Sequence, residues 1–187
     1  MIRAACGAGA LAVLVLASAL AAAPATAQEP EPEDYRMDHY RGPVPETLAG
    51  GVVVDDERAY ALWEQGEVAF IDVLPRPPKP ENLPEGTIWR EKPRRSIPGA
   101  IWLPNVGYGA IHPDTHAYFR SGLETATGGD VSHPVLFFCL DECWMSWNAA
   151  KRALEYGYTT VYWYPYGTDG WEFNEWPTEK VERFAPE

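Results

Sequence analysis

The sequence predicts a single α/β domain with a mostly parallel central sheet flanked by helices. Two observations predict it. The runs Val68-Ala69-Phe70-Ile71-Asp72-Val73 and Val135-Leu136-Phe137-Phe138 are apolar almost throughout rather than at alternate positions, the pattern of strands covered on both faces. Segments of helical periodicity lie between such runs, so strand and helix alternate along the chain.

Taken in order, residues 1–27 have the form of a secretory signal. Arg3 supplies a positive start, Leu11 to Leu16 an apolar core, and Ala25-Thr26-Ala27 a small-x-small cleavage pattern. Pro24 interrupts the apolar stretch before it reaches the roughly 20 residues of a membrane span, so no span is expected after cleavage. Residues 28–50 are rich in proline and acids and read as an extended lead-in. The domain itself is expected over residues 51–182. Val52-Val53-Val54 is a short strand, and Asp55 is suited to cap a helix through Ala59, Leu62 and Trp63 that Gly66 stops. After the 68–73 strand, residues 74–96 form an inserted loop with six prolines, long enough to be a lid. Ile101 to Pro104 is another strand, with a helix around Thr115 to Gly122 beyond it. The strand Val135 to Phe138 leads into a helix from Trp144 to Tyr156 with Gly157 at its end. Val161 to Tyr164 is the last strand, before a short helical piece carrying Trp171 and Trp176.

The chemistry concentrates between the 135–138 strand and the next helix, in Cys139-Leu140-Asp141-Glu142-Cys143-Trp144. A cysteine at a strand-to-helix turn meets backbone N–H groups and a positive helix end, both of which favour the thiolate. Cys143 lies four positions on, within reach. Of the three cysteines, Cys6 leaves with the signal, so the exported chain owns only this pair in an oxidising compartment. Loss of Arg3 takes the formal charge from −12 to −13. That acidity excludes nucleic acid as a natural partner and suits a basic protein. Cys-x-x-x-Cys with adjacent Met145 offers soft ligands for copper(I), but the other ligands of a metal centre and the Cys-x-x-Cys-His spacing of covalent haem are missing, so no metal site is assigned.

The order Phe70-Ile71-Asp72-Val73, Ile97-Pro98-Gly99-Ala100-Ile101, strand-Cys139-loop-helix, Gly157-Tyr158-Thr159-Thr160-Val161-Tyr162 and Gly170-Trp171 resembles the rhodanese domain over roughly residues 50–180. The Cys-x-x-x-Cys-Trp segment, with Trp163-Tyr164-Pro165 and Gly167 to Trp171 downstream, is similar to a secreted bacterial rhodanese-like family associated with pyrroloquinoline quinone (PQQ)-dependent catabolism and named for its CXXCW motif. The resemblance implies a rhodanese-like fold and a periplasmic setting. It also implies a functional association with PQQ enzymes, with a quinoprotein dehydrogenase or a c-type cytochrome as partner; no bound cofactor is implied with certainty. Cys139 stands where rhodaneses carry a persulfide. Two departures bear on that role: Asp141 and Glu142 disfavour an anion in the loop, and Cys143 can resolve a persulfide into a disulfide.

Three functions remain open: thiol redox through Cys139 and Cys143, sulfurtransfer through a Cys139 persulfide, and a non-catalytic module that binds a dehydrogenase, a cytochrome or the quinone. Trp144 is either core, with Trp147 on the same helical face, or a platform beside the sulfur for an aromatic ligand. Asp72 ends its strand on the side where α/β sheets carry their sites, and its bland role is a structural hydrogen bond. Arg94 and Arg95, with Arg90 and Lys92, either replace the missing anion-binding arginine or belong to a solvated loop. His112, His116 and His133 lack ligand spacing and read as surface or capping residues.

Overall fold

The computed structural model describes residues 29–76, 79–90 and 92–186. The expected signal and Cys6 lie outside the described residues. Five strands form one sheet in the order β1-β6-β5-β2-β4, and every neighbouring pair is parallel. They are β1 (Val52–Val53), β2 (Ala69–Asp72), β4 (Ile101–Trp102), β5 (Val135–Phe138) and β6 (Val161–Tyr164). Two further strands, β3 (Arg94–Ser96) and β7 (Glu179–Val181), make a separate antiparallel pair. The helices are α1 (Asp56–Gln65), α2 (Pro113–Thr127), α3 (Trp144–Glu155) and α4 (Gly167–Phe173).

β5 occupies the centre of the sheet and explains its layering. Its four residues are fully buried, and their alternation sends Val135 and Phe137 to one face and Leu136 and Phe138 to the other. The first face packs with Ile71, Val161 and Trp163 against Phe119 and Leu123 of α2 and the apolar side of α3. The second packs with Phe70 and Tyr164 against Ala59 and Leu62 of α1 and Trp171 of α4. The near-continuous apolar strands therefore reflect a sheet covered on both sides, at roughly 25 cal/mol per Å² of apolar surface removed from water.

The helix ends follow local chemistry. Asp55 accepts a hydrogen bond from the Arg58 N–H at 2.8 Å, and Gly66 ends α1 in the left-handed region at φ 70°. His112 caps α2, its ring nitrogen accepting from the Asp114 N–H. That helix runs to Thr127, well past the expected Gly122, and ends before left-handed Gly128. α4 stops at Phe173, so Trp171 is helical and Trp176 lies beyond it, where both pack on Tyr60. The β3–β7 pair lacked a legible signal: Arg-Arg-Ser and Glu-Lys-Val are short and polar, and their pairing brings the end of the 74–96 insertion against the C-terminal segment.

The lead-in is not set apart from the domain. Leu48 joins the core, and residues 35–48 lie along α3. Asn148 accepts from the Arg36 N–H and donates to the Arg36 carbonyl, both at 2.9 Å, and also donates to the Gly107 carbonyl. Trp144 and Trp147 donate their indole N–H groups to the Pro43 and Thr47 carbonyls. Buried Arg152 donates to the carbonyls of Val106, Tyr108 and Gly109 at 2.7–3.0 Å, and Tyr35 covers its guanidinium at 4.2 Å.

Close backbone approach sets the start of α3. A Cβ on Gly107 would stand 2.7 Å from the Met145 carbonyl carbon and 2.8 Å from its Cα. Gly107→Ala is expected to cost about 1–3 kcal/mol by overpacking, read as a lower urea midpoint at unchanged slope.

Candidate functional site

The site forms at the carboxyl end of the sheet, where β5 stops at Phe138 and α3 begins at Trp144. The intervening turn is closed by a disulfide between Cys139 and Cys143, their Cα atoms 6.2 Å apart. Cys143, not Cys139, is the N-cap of α3. The positive end of the helix therefore favours a thiolate at Cys143, a revision of the expectation that placed it at Cys139. The physical reason is the loop itself, which puts Cys139 a turn of chain away from the first helical N–H groups.

Both sulfur residues are sealed from solvent, Cys139 at 0% and Cys143 at 2% exposure. Part of the seal is the lead-in. Arg41 pairs with Cys143 as an antiparallel bridge, in which Gly42 donates to the Glu142 carbonyl and Trp144 donates to the Tyr40 carbonyl, each at 3.0 Å. The Trp144 ring is 1% exposed, edge-on to Trp147, with the Arg36 guanidinium 5.0 Å above it. Of the two alternatives for Trp144, the ring is packed in the core under the lead-in and is not an open aromatic platform.

The loop amides are largely spoken for. Asp169 accepts from the Asp141 N–H at 3.1 Å, and Asp141 accepts from the Glu142 N–H at 2.9 Å. A carboxylate thus occupies positions where a sulfur anion would seek donors. Glu142 adopts a left-handed backbone at φ 49°, a conformation that costs a non-glycine residue about 1 kcal/mol or more unless its surroundings impose it.

Behind the loop, Asp72 gathers the other predicted residues. It is fully buried and accepts from Arg94 Nε at 2.6 Å, Ser96 Oγ at 2.5 Å and the Leu74 N–H at 2.9 Å. Burial pushes the Asp72 carboxyl upward, opposed by the Arg94 guanidinium and the hydrogen bonds of Ser96 and Leu74. Arg94 then reaches Thr168 Oγ1 at 3.2 Å and the Cys139 carbonyl at 3.5 Å, while the Thr168 N–H donates to the same carbonyl at 3.1 Å. Arg94 does sit beside the loop, yet its charge is engaged by Asp72. Arg95 lines the same cleft but gives its guanidinium hydrogen bonds to Thr178, so only Arg94 of the two reaches the Cys139 carbonyl. Sequence reasoning missed Thr168 and Gly167, which pack directly on the Cys139 carbonyl. It also missed Asn148, whose amide amid the apolar residues of α3 was the one available signal.

Two open clefts flank the loop. One, about 570 Å³, lies between the lead-in at Pro43 to Glu46, the end of β1, and Asp141, Glu142 and Tyr166. The other, about 340 Å³, is lined by Leu140, Lys92, Arg94, Arg95 and Thr168 with Asp169 and Glu172. Neither cysteine lines either cleft. Among the described residues no cluster of three or more His, Cys, Asp or Glu side chains could hold a metal ion, and no helix is long and apolar enough to cross a membrane.

No family model matches the chain, and no curated protein matches it. Solved structures similar to it include a thiosulfate sulfurtransferase from Pseudomonas aeruginosa, at 18% identity and TM-score 0.49, over 72% of this chain. The chain spans only 21% of that protein's length. A polysulfide-sulfur transferase homodimer from Wolinella succinogenes is similar at 20% identity and TM-score 0.42, over 72% of this chain and 82% of its own. An uncharacterized protein from Saccharomyces cerevisiae is similar at 22% identity and TM-score 0.39, over 66% and 92% of the two chains. The fold is α/β with a parallel five-stranded sheet. Its strand order and parallel register show this directly.

Replacing Asp72 by Asn removes the carboxylate that faces the buried Arg94 guanidinium. A loss of about 3–5 kcal/mol in chemical denaturation is expected, because one partner of a buried ion pair is left uncompensated. A change below about 0.5 kcal/mol, the usual range for surface sites, would show that Arg94 finds its stabilisation elsewhere.

Proposed function

We propose that the protein is a thiol-redox module on a rhodanese-like scaffold, exchanging electrons through the Cys139–Cys143 disulfide. One observation carries the reading: the only disulfide among the described residues closes a ring of five residues at the carboxyl end of the central strand. Closing so small a ring stabilises by about 2 kcal/mol, against about 4.7 kcal/mol for a 100-residue loop. Stability is a poor reason to place it there, and α/β sheets carry their chemistry at that edge.

In the proposed step, a thiolate of a partner dithiol attacks the Cys139 sulfur and forms a mixed disulfide. The Cys139–Cys143 bond breaks, and Cys143 leaves as a thiolate favoured by the N-terminus of α3. The second partner thiolate then attacks the mixed disulfide, releasing Cys139. The partner is oxidised to a disulfide by two electrons, and the two cysteines keep the protons it lost. The reverse sequence oxidises the module.

The motif resemblance, the signal-like N-terminus and the acidic charge support a periplasmic setting and a role as accessory to PQQ-dependent alcohol catabolism. A quinoprotein dehydrogenase or a c-type cytochrome is the proposed partner there.

Sulfane-sulfur transfer through reduced Cys139 is the second reading. It is favoured by Lys92 and Arg95 in the cleft beside Leu140, which offer cations to an anionic donor. Engagement of the Asp141 and Glu142 amides by carboxylates weighs against it.

Equilibration in graded thiol–disulfide buffers, with alkylation and intact mass, separates the two. Thiol redox predicts reversible exchange with a midpoint above about −300 mV, and a lower potential, typical of structural bridges, contradicts it. A stable gain of one sulfur atom from thiosulfate, lost in Cys139→Ala and kept in Cys143→Ala, would instead establish transfer.

A further inference from the structure

We infer that residues 36–44 are a redox-coupled latch. In the oxidised protein they close over the disulfide, and reduction loosens them. The latch rests on the thiol-exchange reading for its purpose, while its coupling to the disulfide can be measured separately.

Three facts converge on it. First, both cysteines are buried although the loop that holds them lies at the protein surface, with Glu142 exposed. A partner thiolate cannot reach either sulfur until something moves. Second, the backbone contacts of the latch fall on the segment that the disulfide constrains. Gly42 donates to the Glu142 carbonyl, and the Tyr40 carbonyl accepts from Trp144, on either side of Cys143. Third, the Glu142 carbonyl is aimed at Gly42 by a left-handed backbone that an unconstrained glutamate seldom adopts.

The disulfide holds that conformation by tying Cys143 to Cys139, and the latch binds the result. Cutting the bond frees residues 140–143 to relax toward ordinary backbone, and the acceptor at Glu142 swings away. Linkage requires the converse as well. If the latch binds the oxidised loop better than the reduced one, a docked latch makes the disulfide harder to reduce by the same factor. The outer anchors of the segment, Asn148 on Arg36 and Trp147 on Thr47, do not depend on the loop. They keep the latch tethered as it opens, so its motion is local.

Native-state proteolysis reads the coupling directly, since trypsin cleaves after Arg36 and Arg41. In the Cys139→Ser/Cys143→Ser chain, cleavage after Arg41 is expected to run about tenfold faster than in the oxidised wild type, within the usual range of coupling between sites, while Arg36, held by Asn148, changes less. Cleavage after Lys151 and Arg152 in α3 should stay slow. An unchanged rate after Arg41 overturns the inference. If the α3 sites also open, the fold is lost in that variant, and dithiothreitol-reduced wild type replaces it with the same two outcomes.

Gating is tested with Gly42→Pro, which removes the N–H donated to Glu142 from a position at φ 151° that proline cannot adopt. Oxidised Gly42→Pro should lose hydrogen-exchange protection at the Trp144 amide that Tyr40 accepts, and its disulfide–dithiol equilibrium in dithiothreitol buffers should shift about tenfold toward the reduced form, by the reciprocity of coupling. Lost protection at Trp144 with an unchanged disulfide–dithiol equilibrium overturns the coupling. Failure of the thiol-exchange reading looks different: a potential below about −300 mV while the latch still responds to loss of the disulfide.

Discussion

Five residues between the central strand and α3 must reverse the chain, and the Cys139–Cys143 bond fixes how they do so. Everything distinctive around the carboxyl edge of the sheet fastens to that turn. Thr168 and Arg94 hold the Cys139 carbonyl from behind. The α4 backbone approaches so closely that a Cβ on Gly167 would stand 2.6 Å from the Cys139 oxygen. On the outer side, the lead-in pairs with Cys143 through its neighbours. The turn is therefore held covalently, from within and from without, and its sulfur atoms are sealed by the sum of these contacts.

The electrostatics of the edge are divided by the same turn. On one side Asp72 neutralises Arg94 inside the protein, an arrangement that is costly to break but leaves little free positive charge. On the other, Glu46, Asp55, Asp141 and Glu142 ring a cleft in an already acidic chain. An anionic sulfur donor meets the smaller cleft of mixed charge, lined by Lys92 and Arg95 but also by Asp169 and Glu172, or none at all. In the proposed exchange the partner carries a single charge, on the attacking thiolate alone, so this edge opposes it less than it opposes a dianionic donor such as thiosulfate.

Much of this was legible in the sequence. Apolar runs at Ala69-Phe70-Ile71 and Val135–Phe138 identified the inner strands, because burial on both faces leaves no polar alternation to obscure them. Asp55 and Gly66 announced α1 through ordinary capping chemistry. The cysteine loop was visible from its place between strand and helix. The docking of the lead-in was not visible, since its contacts are mainly backbone carbonyls and amides meeting Asn148, Trp144 and Trp147. Such contacts leave no pattern in a proline-rich, acidic segment. For the same reason the sequence left Trp144 between core and platform: its spacing gave the helical face but not the segment lying across it. The β3–β7 pair escaped because three-residue polar strands carry no periodicity.

The central claim is that the lead-in and the disulfide loop form one closed unit in the oxidised protein. Amide hydrogen exchange at Gly42 and Trp144 tests it most directly, because these two N–H groups make the bridge between them. The account predicts that both amides are slowed well beyond the rate of free peptide in the oxidised chain, and that Gly42 loses protection on reduction while the β5 amides keep theirs. Free-peptide exchange at Gly42 and Trp144 in the oxidised protein would contradict it.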